Sequence, residues 1–249
     1  VETESPYTGD VDKEVPPTPD YLWQIPYPFT VLARASATTS RIRLGTGVCL
    51  VPQHHPAMLA NETASLDHFS GGRFNFGIGA GWHREQSEML GVDFDHRWTQ
   101  TKECLQIIKK LWAKDEAGWK GNYYSFPPVK CFPKPTQQPH PPVYFGSSGT
   151  PRVFKRVAEW GNGWMPTIDK VEQISEGYAK LKAACTDCNR DIGEIHIAPL
   201  GLEGLMRTKT DRDALANAGA DELIVWILES ETEGILNELE QLAKELIEN

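Results

Sequence analysis

The 249-residue chain lacks the features that would identify a membrane or secreted protein. No apolar run approaches the roughly 20 residues that a membrane-spanning helix needs, so we expect no membrane partner. Residues 1–6 contain neither the basic nor the apolar region of a signal peptide. The 5 cysteines are an odd number at wide spacings, which disfavours a disulfide framework and favours a reducing compartment. These absences predict a cytoplasmic protein.

Positive charge is also scarce. The chain has 25 Lys and Arg against 34 Asp and Glu, a net charge of -9. A chain this acidic does not attract nucleic acid through bulk charge, so we expect no nucleic-acid partner. Hydrophobic residues make up 40% and charged residues 24%, which is ordinary for a globular domain, and the length suits one barrel-sized domain.

Two common kinds of functional site are missing from the sequence. No Gly-Lys-Ser/Thr occurs, which excludes a P-loop. His54, His55 and His83 have no carboxylate at a characteristic ligand spacing, so we predict no metal site. Cys185 and Cys188 form a C-x-x-C near the end of a predicted helix, whereas a redox pair would follow a strand at a helix start. We interpret them as incidental.

Predicted strands and helices alternate along the chain. The predicted strands are 41–48, 73–79, 143–146, 163–166, 194–199 and 222–228. The predicted helices are 29–39, 56–69, 99–112, 151–160, 171–184, 211–218 and 234–247. This alternation favours a parallel sheet with helices outside it, and a closed (β/α)8 barrel would need two more strands, either hidden or absent. A proline-rich loop over 1–28 and an inserted excursion at about 118–142 interrupt the pattern.

Glycine-rich runs stand at the C-terminal ends of three predicted strands, at 45–47, 77–81 and 146–149. Ligands bind at that rim in α/β folds, so the runs indicate a backbone drawn close to a flat or phosphorylated ligand. The alternative is ordinary turn chemistry, which also uses glycine. The run from Gly146 to Thr150 precedes a helix, whose amides and dipole can hold a phosphate. Its alternative is an N-cap after a flexible turn.

Three titratable residues follow the first two glycine-rich strands. His55, His83 and Glu85 would lie on the same rim, which makes them candidates for catalysis. The alternative is that the histidines cap helices or are solvated.

The runs 41–48, 66–74 and 77–82, together with His55-Pro56, Gly146–Gly149 and Gly161–Trp164, resemble the bacterial luciferase-like monooxygenase family. The similarity is to its branch of coenzyme F420 (deazaflavin)-dependent oxidoreductases and covers about residues 29–230. It implies one TIM (β/α)8 barrel domain over residues 1–249 whose insertion at about 118–142 covers the substrate. It also implies an N-terminally truncated chain with about six of eight strands, and a homodimer when the chain is complete.

The resemblance implies an oxidoreductase that acts on a small organic substrate, by hydride transfer or oxygen activation, with F420 favoured and FMN as the alternative. The residues implied to line the cofactor ring are Thr46, Gly47, Val48 and Cys49, at a bulge that often carries a cis peptide, with Gly79, Ala80 and Gly81. The residues implied to hold the phosphate are Gly146, Ser147, Ser148, Gly149 and Thr150, assisted by Trp164, Met165 and Pro166. Arg152, Lys155 and Arg156 are compatible with the anionic tail of F420, and equally with a solvated helix face.

Two alternatives remain open at this point. One is a non-catalytic or degenerate cofactor-binding barrel, which the implied truncation favours. The other is a TIM-barrel lyase or isomerase on a phosphorylated substrate, which would also use a phosphate site. That class needs a lysine or carboxylate at a strand end, whereas the strand ends here offer glycines, hydroxyls and apolar groups.

Overall fold

The computed structural model describes residues 24–202 and 204–247, so most of the predicted loop over 1–28 lies outside the described residues. The chain divides into two compact units, Val1–Pro141 and Pro142–Asn249. The single domain over residues 1–249 stays a prediction. Within the described residues, every helix is too short or too polar to cross a membrane.

The first unit contains four helices and five strands among its described residues. The helices are α1 (Pro28–Thr38), α2 (Pro56–Ser70), α3 (Arg84–Met89) and α4 (Arg97–Ala113). The strands are β1 (Leu44–Gly45), β2 (Cys49–Leu50), β3 (Phe74–Gly79), β4 (Glu116–Lys120) and β5 (Ser125–Lys130).

Strands β1 and β2 both pair in parallel with β3. Together they replace the single strand predicted over 41–48, because the ladder is interrupted between Gly45 and Cys49. A cis peptide bond joins Gly47 and Val48 within this interruption, where the family resemblance implies a bulge. The chain therefore leaves the sheet and returns to it within a few residues of the predicted ring site.

Helices α2 and α4 supply much of the core of the first unit. Leu59 on α2 and Ile108 on α4 are fully buried, as their apolar spacing predicts. Helix α2 begins with Pro56, whose missing amide is harmless in the first turn. Its C-cap is Gly71, where a φ of 69° lets the Gly71 amide donate to the carbonyls of Asp67 and His68. These turn signals explain why the predicted bounds agree with the observed ones to one residue.

Three elements of the first unit were missed by the sequence prediction. Strands β4 and β5 form an antiparallel hairpin at the start of the predicted excursion. Two prolines in β5, Pro127 and Pro128, remove amide donors and therefore mask the strand pattern. Helix α3 has six residues and only Met89 among them is apolar, so it offers no apolar periodicity to detect.

The second unit contains four helices and five short strands among its described residues. The helices are α5 (Pro151–Trp160), α6 (Glu172–Asp187), α7 (Lys209–Asn217) and α8 (Thr232–Leu246). The strands are β6 (Val143–Phe145), β7 (Gly163–Trp164), β8 (Thr167–Ile168), β9 (His196–Ile197) and β10 (Leu200–Gly201). Strand β7 pairs in parallel with β6 and β9, and β8 pairs in parallel with β10.

The strand predicted over 222–228 is reduced to a parallel bridge between Leu200 and Ile224. Beyond the bridge, the amides of Leu228 and Glu229 donate to the carboxylate of Glu238 on α8 instead of to another strand. Each of the six segments predicted as strands therefore contains parallel pairing, two of them in the first unit and four in the second.

The Glu238 interaction predicts a pH dependence of stability. Hydrogen bonds from the Glu229 and Leu228 amides and from Arg207 lower the pKa of the Glu238 carboxyl below its ordinary value. Because the carboxyl has the higher pKa in the unfolded chain, its stabilisation is complete above that ordinary value and is lost as the pH falls through the lowered one. In a plot of the urea midpoint of unfolding against pH, we expect Glu238→Gln to weaken the decline at acid pH. Glu240→Gln, an exposed change on the same helix, should leave that decline unchanged.

Candidate functional site

The predicted ring-lining residues of the first unit lie in two adjacent segments, one leading into β2 and one at the end of β3. Leu50 stands opposite Gly79 in the parallel register. A Cβ placed on Gly79 would lie 2.8 Å from Cγ2 of Val48, so only glycine fits beneath that side chain. The buried Thr46 hydroxyl donates to the Gly77 carbonyl at 2.7 Å and ties the segment between β1 and β2 to β3.

The Cys49 thiol is a buried packing group rather than a nucleophile. Its side chain is 3% exposed. Burial first, and then the charge of Glu62, raises the pKa of Cys49 to about 12. The thiol therefore stays protonated at neutral pH and offers no reactive thiolate.

Both candidate catalytic histidines cap helices. Nδ1 of His55 accepts from the Ala57 amide at 3.3 Å at the start of α2, and Nδ1 of His83 accepts from the Gln86 amide at 3.2 Å at the start of α3. The same His83 nitrogen lies 3.2 Å from Oε2 of Glu85. One nitrogen cannot accept from an amide and donate to a carboxylate at once, so these contacts belong to different protonation states. The capping alternative holds for both histidines, and their role in catalysis stays a prediction.

The β4–β5 hairpin places aromatic rings beside His55. The ring of Tyr124 meets the imidazole edge-on at 5.9 Å between centroids, and Phe126 lies at 6.3 Å. The Tyr124 hydroxyl accepts from Nε2 of Gln100 at 3.0 Å and lies 3.2 Å from Sγ of Cys104. Burial raises the pKa of Tyr124, so its hydroxyl stays neutral. Sequence reasoning missed this arrangement, because the hairpin itself was missed.

The predicted phosphate loop lies at the start of α5 in the second unit. The Thr150 hydroxyl caps the helix by accepting from the Val153 amide at 3.3 Å, as the N-cap alternative predicts. Nε1 of Trp164 donates to the Ser147 carbonyl at 3.0 Å and fixes the preceding turn. The Met165 amide donates to the Phe145 carbonyl at 2.8 Å, and Pro166 is buried. The sequence-predicted residues of this unit therefore form one local structure.

A cavity of about 160 Å³ adjoins this loop. It is lined by Ser148, Gly149, Trp164, Glu176, Gly177 and Lys180, among others. The buried Trp164 ring forms its wall and leaves no room for larger residues beside it. A Cβ on Gly177 would lie 2.1 Å from the ring, and one on Gly149 would lie 3.1 Å from it.

The cations that follow the loop differ in their surroundings. Arg152 is exposed on the first turn of α5, where a cation opposes the helix dipole unless an anion lies nearby. Lys155 pairs with Glu159 one turn further along, at 3.9 Å. Cys185 and Cys188 are free thiols at the C-terminal end of α6, as predicted. Among the described residues, no cluster of three His, Cys, Asp or Glu residues could hold a metal.

Residues 15–246 match the family model for luciferase-like monooxygenases. The chain belongs to the luciferase-like monooxygenase family. An uncharacterized protein of Mycobacterium tuberculosis is 40% identical over 186 residues, which is 75% of this chain and 64% of that protein. The chain thus matches less than two thirds of the length of that relative.

Solved structures show the same fold. The coenzyme F420-dependent tetrahydromethanopterin reductase of Methanopyrus kandleri has a TM-score of 0.75 at 16% identity, covering 91% of this chain and 88% of that one. The oxygenating constituent of 3,6-diketocamphane monooxygenase of Pseudomonas putida, in complex with FMN, has a TM-score of 0.61 at 20% identity, covering 73% and 54%. The fold class is therefore the luciferase-like TIM barrel, as predicted, in a family of oxidoreductases and monooxygenases.

Proposed function

We propose that this luciferase-like chain is a flavin- or deazaflavin-dependent oxidoreductase that acts on a small organic substrate. The observation that carries the proposal is the loop from Gly146 to Thr150. It leads into the start of α5, and Ser148 and Gly149 within it line the adjacent cavity. When bound, the tricyclic cofactor supplies hydride transfer or oxygen activation, and the protein binds it, orients it and excludes water.

The loop suits a phosphate for three physical reasons. The helix dipole and the amides of the first turn of α5 favour an anion there. Ser147 and Ser148 add hydroxyl donors, and the exposed Arg152 adds a cation on the same turn. The cavity of about 160 Å³ has the volume of several waters, so a phosphate group fits without moving Trp164.

In the first unit, the side chain of Val48 covers the backbone of Gly79, and the space where Gly47 would carry a Cβ is open. We assign the cofactor ring to Thr46–Cys49 and Gly79–Gly81, where a flat ligand can approach the backbone closely. His55 is the candidate to contact the substrate. Because its Nδ1 accepts the capping bond, the neutral imidazole carries its proton on Nε2 and can donate a hydrogen bond to a substrate oxygen.

The choice of cofactor is part of the proposal. We favour F420, because the similarity is to that branch and because its anionic tail would need a cation such as Arg152 near the phosphate. The reductase of Methanopyrus kandleri depends on F420, whereas the Pseudomonas putida structure contains FMN, so both remain within the family. Tighter binding of FMN than of F420 to this chain would overturn the choice.

The phosphate assignment predicts a large loss of affinity in Ser147→Asp/Ser148→Asp. Two carboxylates would face the phosphate, and we expect the dissociation constant for either cofactor to rise by about 100-fold or more in fluorescence titration. A matched control, Ser230→Asp/Thr232→Asp, adds the same charge at the start of α8 and should change affinity less than about twofold. Unchanged affinity in the loop variant would refute the assignment, and an equal loss in both variants would point to net charge alone.

A further inference from the structure

Arg97 reaches from the start of α4 to the loop that follows β3. It is the first residue of α4, and its Nε donates to the Gly81 carbonyl at 3.0 Å. Its Nη1 donates to the Phe94 carbonyl at 2.8 Å, and its guanidinium carbon lies 4.1 Å from the centre of the Phe94 ring. Two hydrogen bonds and a stacked ring thus fix the direction in which the guanidinium points.

The position is an unfavourable one for a cation. The first turn of a helix carries the positive end of the dipole. A second guanidinium, that of Arg84, lies 4.4 Å from the centre of the same Phe94 ring. Burial and the charge of Arg84 both lower the pKa of Arg97. Placing the Arg97 charge here costs electrostatic free energy, and the hydrogen bond to Gly81 offsets part of that cost. The bond is therefore more than an incidental surface contact.

The Gly81 loop is held from a second direction as well. Gly81 has a φ of 89°, a conformation that side chains with a Cβ rarely adopt. A Cβ there would lie 3.2 Å from Oγ of Ser87 and 3.5 Å from Nε2 of Gln53, which lie 3.4 Å from each other. Gly81 is therefore confined by the Ser87–Gln53 pair, while the Arg97 guanidinium bonds its carbonyl. The carbonyl has little freedom to rotate.

We propose that Arg97 is the positioning residue of the cofactor site. It orients the backbone of Gly79–Gly81, which the proposed function assigns to the cofactor, and this inference rests on that function. Arg97 acts through the Gly81 carbonyl and does not itself react. A charged donor holds a carbonyl more firmly than a neutral one, so the loop keeps one orientation before the cofactor arrives.

Substitutions of the two arginines that stack on Phe94 test the proposal. Arg97→Gln removes the bond to Gly81. Arg84→Gln is the matched control, because Arg84 stacks on the same ring but pairs with Asp95 at 2.6 Å and Glu88 at 2.9 Å. We expect Arg97→Gln to raise the dissociation constant for the preferred cofactor by about tenfold, and Arg84→Gln to change it less than about twofold. Arg97→Lys, which keeps the charge but not the planar donor, should fall between them.

Hydrogen exchange in the cofactor-free chain provides a second readout. The amides of residues 79–82 should exchange faster in Arg97→Gln than in the unaltered chain or in Arg84→Gln. Unchanged affinity and unchanged exchange in Arg97→Gln would overturn the proposal, and so would an equal loss in both arginine variants. If the unaltered chain binds neither F420 nor FMN, the proposed function fails. The exchange comparison then still decides whether Arg97 fixes the loop.

Discussion

Replacing Arg73 with alanine is expected to lower the free energy of unfolding by about 3 kcal/mol, because a charged guanidinium with several partners would be lost. Its Nε donates to the Ser70 carbonyl at 2.7 Å. Its two terminal nitrogens donate to the carbonyls of Ile42 at 2.6 Å, Thr39 at 2.9 Å and Ser36 at 3.2 Å. One side chain thus joins the end of α1, the start of β1 and the end of α2.

The measurement is urea unfolding followed by circular dichroism. Arg41→Ala is the control, since Arg41 is exposed and lies in the same connection, and we expect it to change stability by less than about 0.5 kcal/mol. Arg73→Lys should recover only part of the loss, because an ammonium group cannot reach all four carbonyls in one plane. Equal stabilities of Arg73→Ala and Arg41→Ala would contradict this account.

Replacing Glu103 with alanine is expected to release the tip of the β4–β5 hairpin and to lower stability by about 2–3 kcal/mol. The Glu103 carboxylate, 8% exposed, accepts from Nε1 of Trp119 at 3.1 Å. It also accepts from the backbone amides of Asn122 at 3.0 Å, Tyr123 at 3.2 Å and Tyr124 at 3.0 Å. Without the carboxylate these donors lose their partner, and the contacts of the Tyr124 hydroxyl with Gln100 and Cys104 must hold the tip on α4.

Chymotrypsin cleavage after Tyr123 or Tyr124 reports the loosening directly. We expect Glu103→Ala to be cut at the tip much faster than the unaltered chain, and Glu103→Gln to be intermediate because it keeps one acceptor oxygen. Glu116→Ala is the control, because Glu116 is exposed at the start of β4. Resistance of Glu103→Ala to cleavage, with unchanged stability, would show that the hairpin is held by its aromatic packing instead.

These two residues show how far local pattern carried the sequence analysis. Arg73 belongs to the run 66–74 that carried the family resemblance, but the run itself reveals nothing of its partners up to 37 residues away. Glu103 lies in the predicted helix over 99–112, where a carboxylate is ordinary. Its role becomes visible only when the hairpin tip wraps around it, and Gly121 is required there because a Cβ would lie 2.2 Å from the carboxylate.

The chain by itself determined its class and most of its helices and strands. Apolar spacing, prolines at helix starts and glycines at strand ends act within a few residues, so they predicted α2 and α5 closely and placed the glycine-rich loops at strand ends. Only the tertiary structure decided the contacts between residues that are far apart in the sequence. It closed the β4–β5 hairpin despite its prolines and brought Val48 over Gly79. It also reduced the predicted final strand to a single bridge and placed the Arg97 guanidinium on the Gly81 carbonyl. The reason is physical, because local propensities bias single residues, whereas burial and buried hydrogen bonds depend on which distant groups meet.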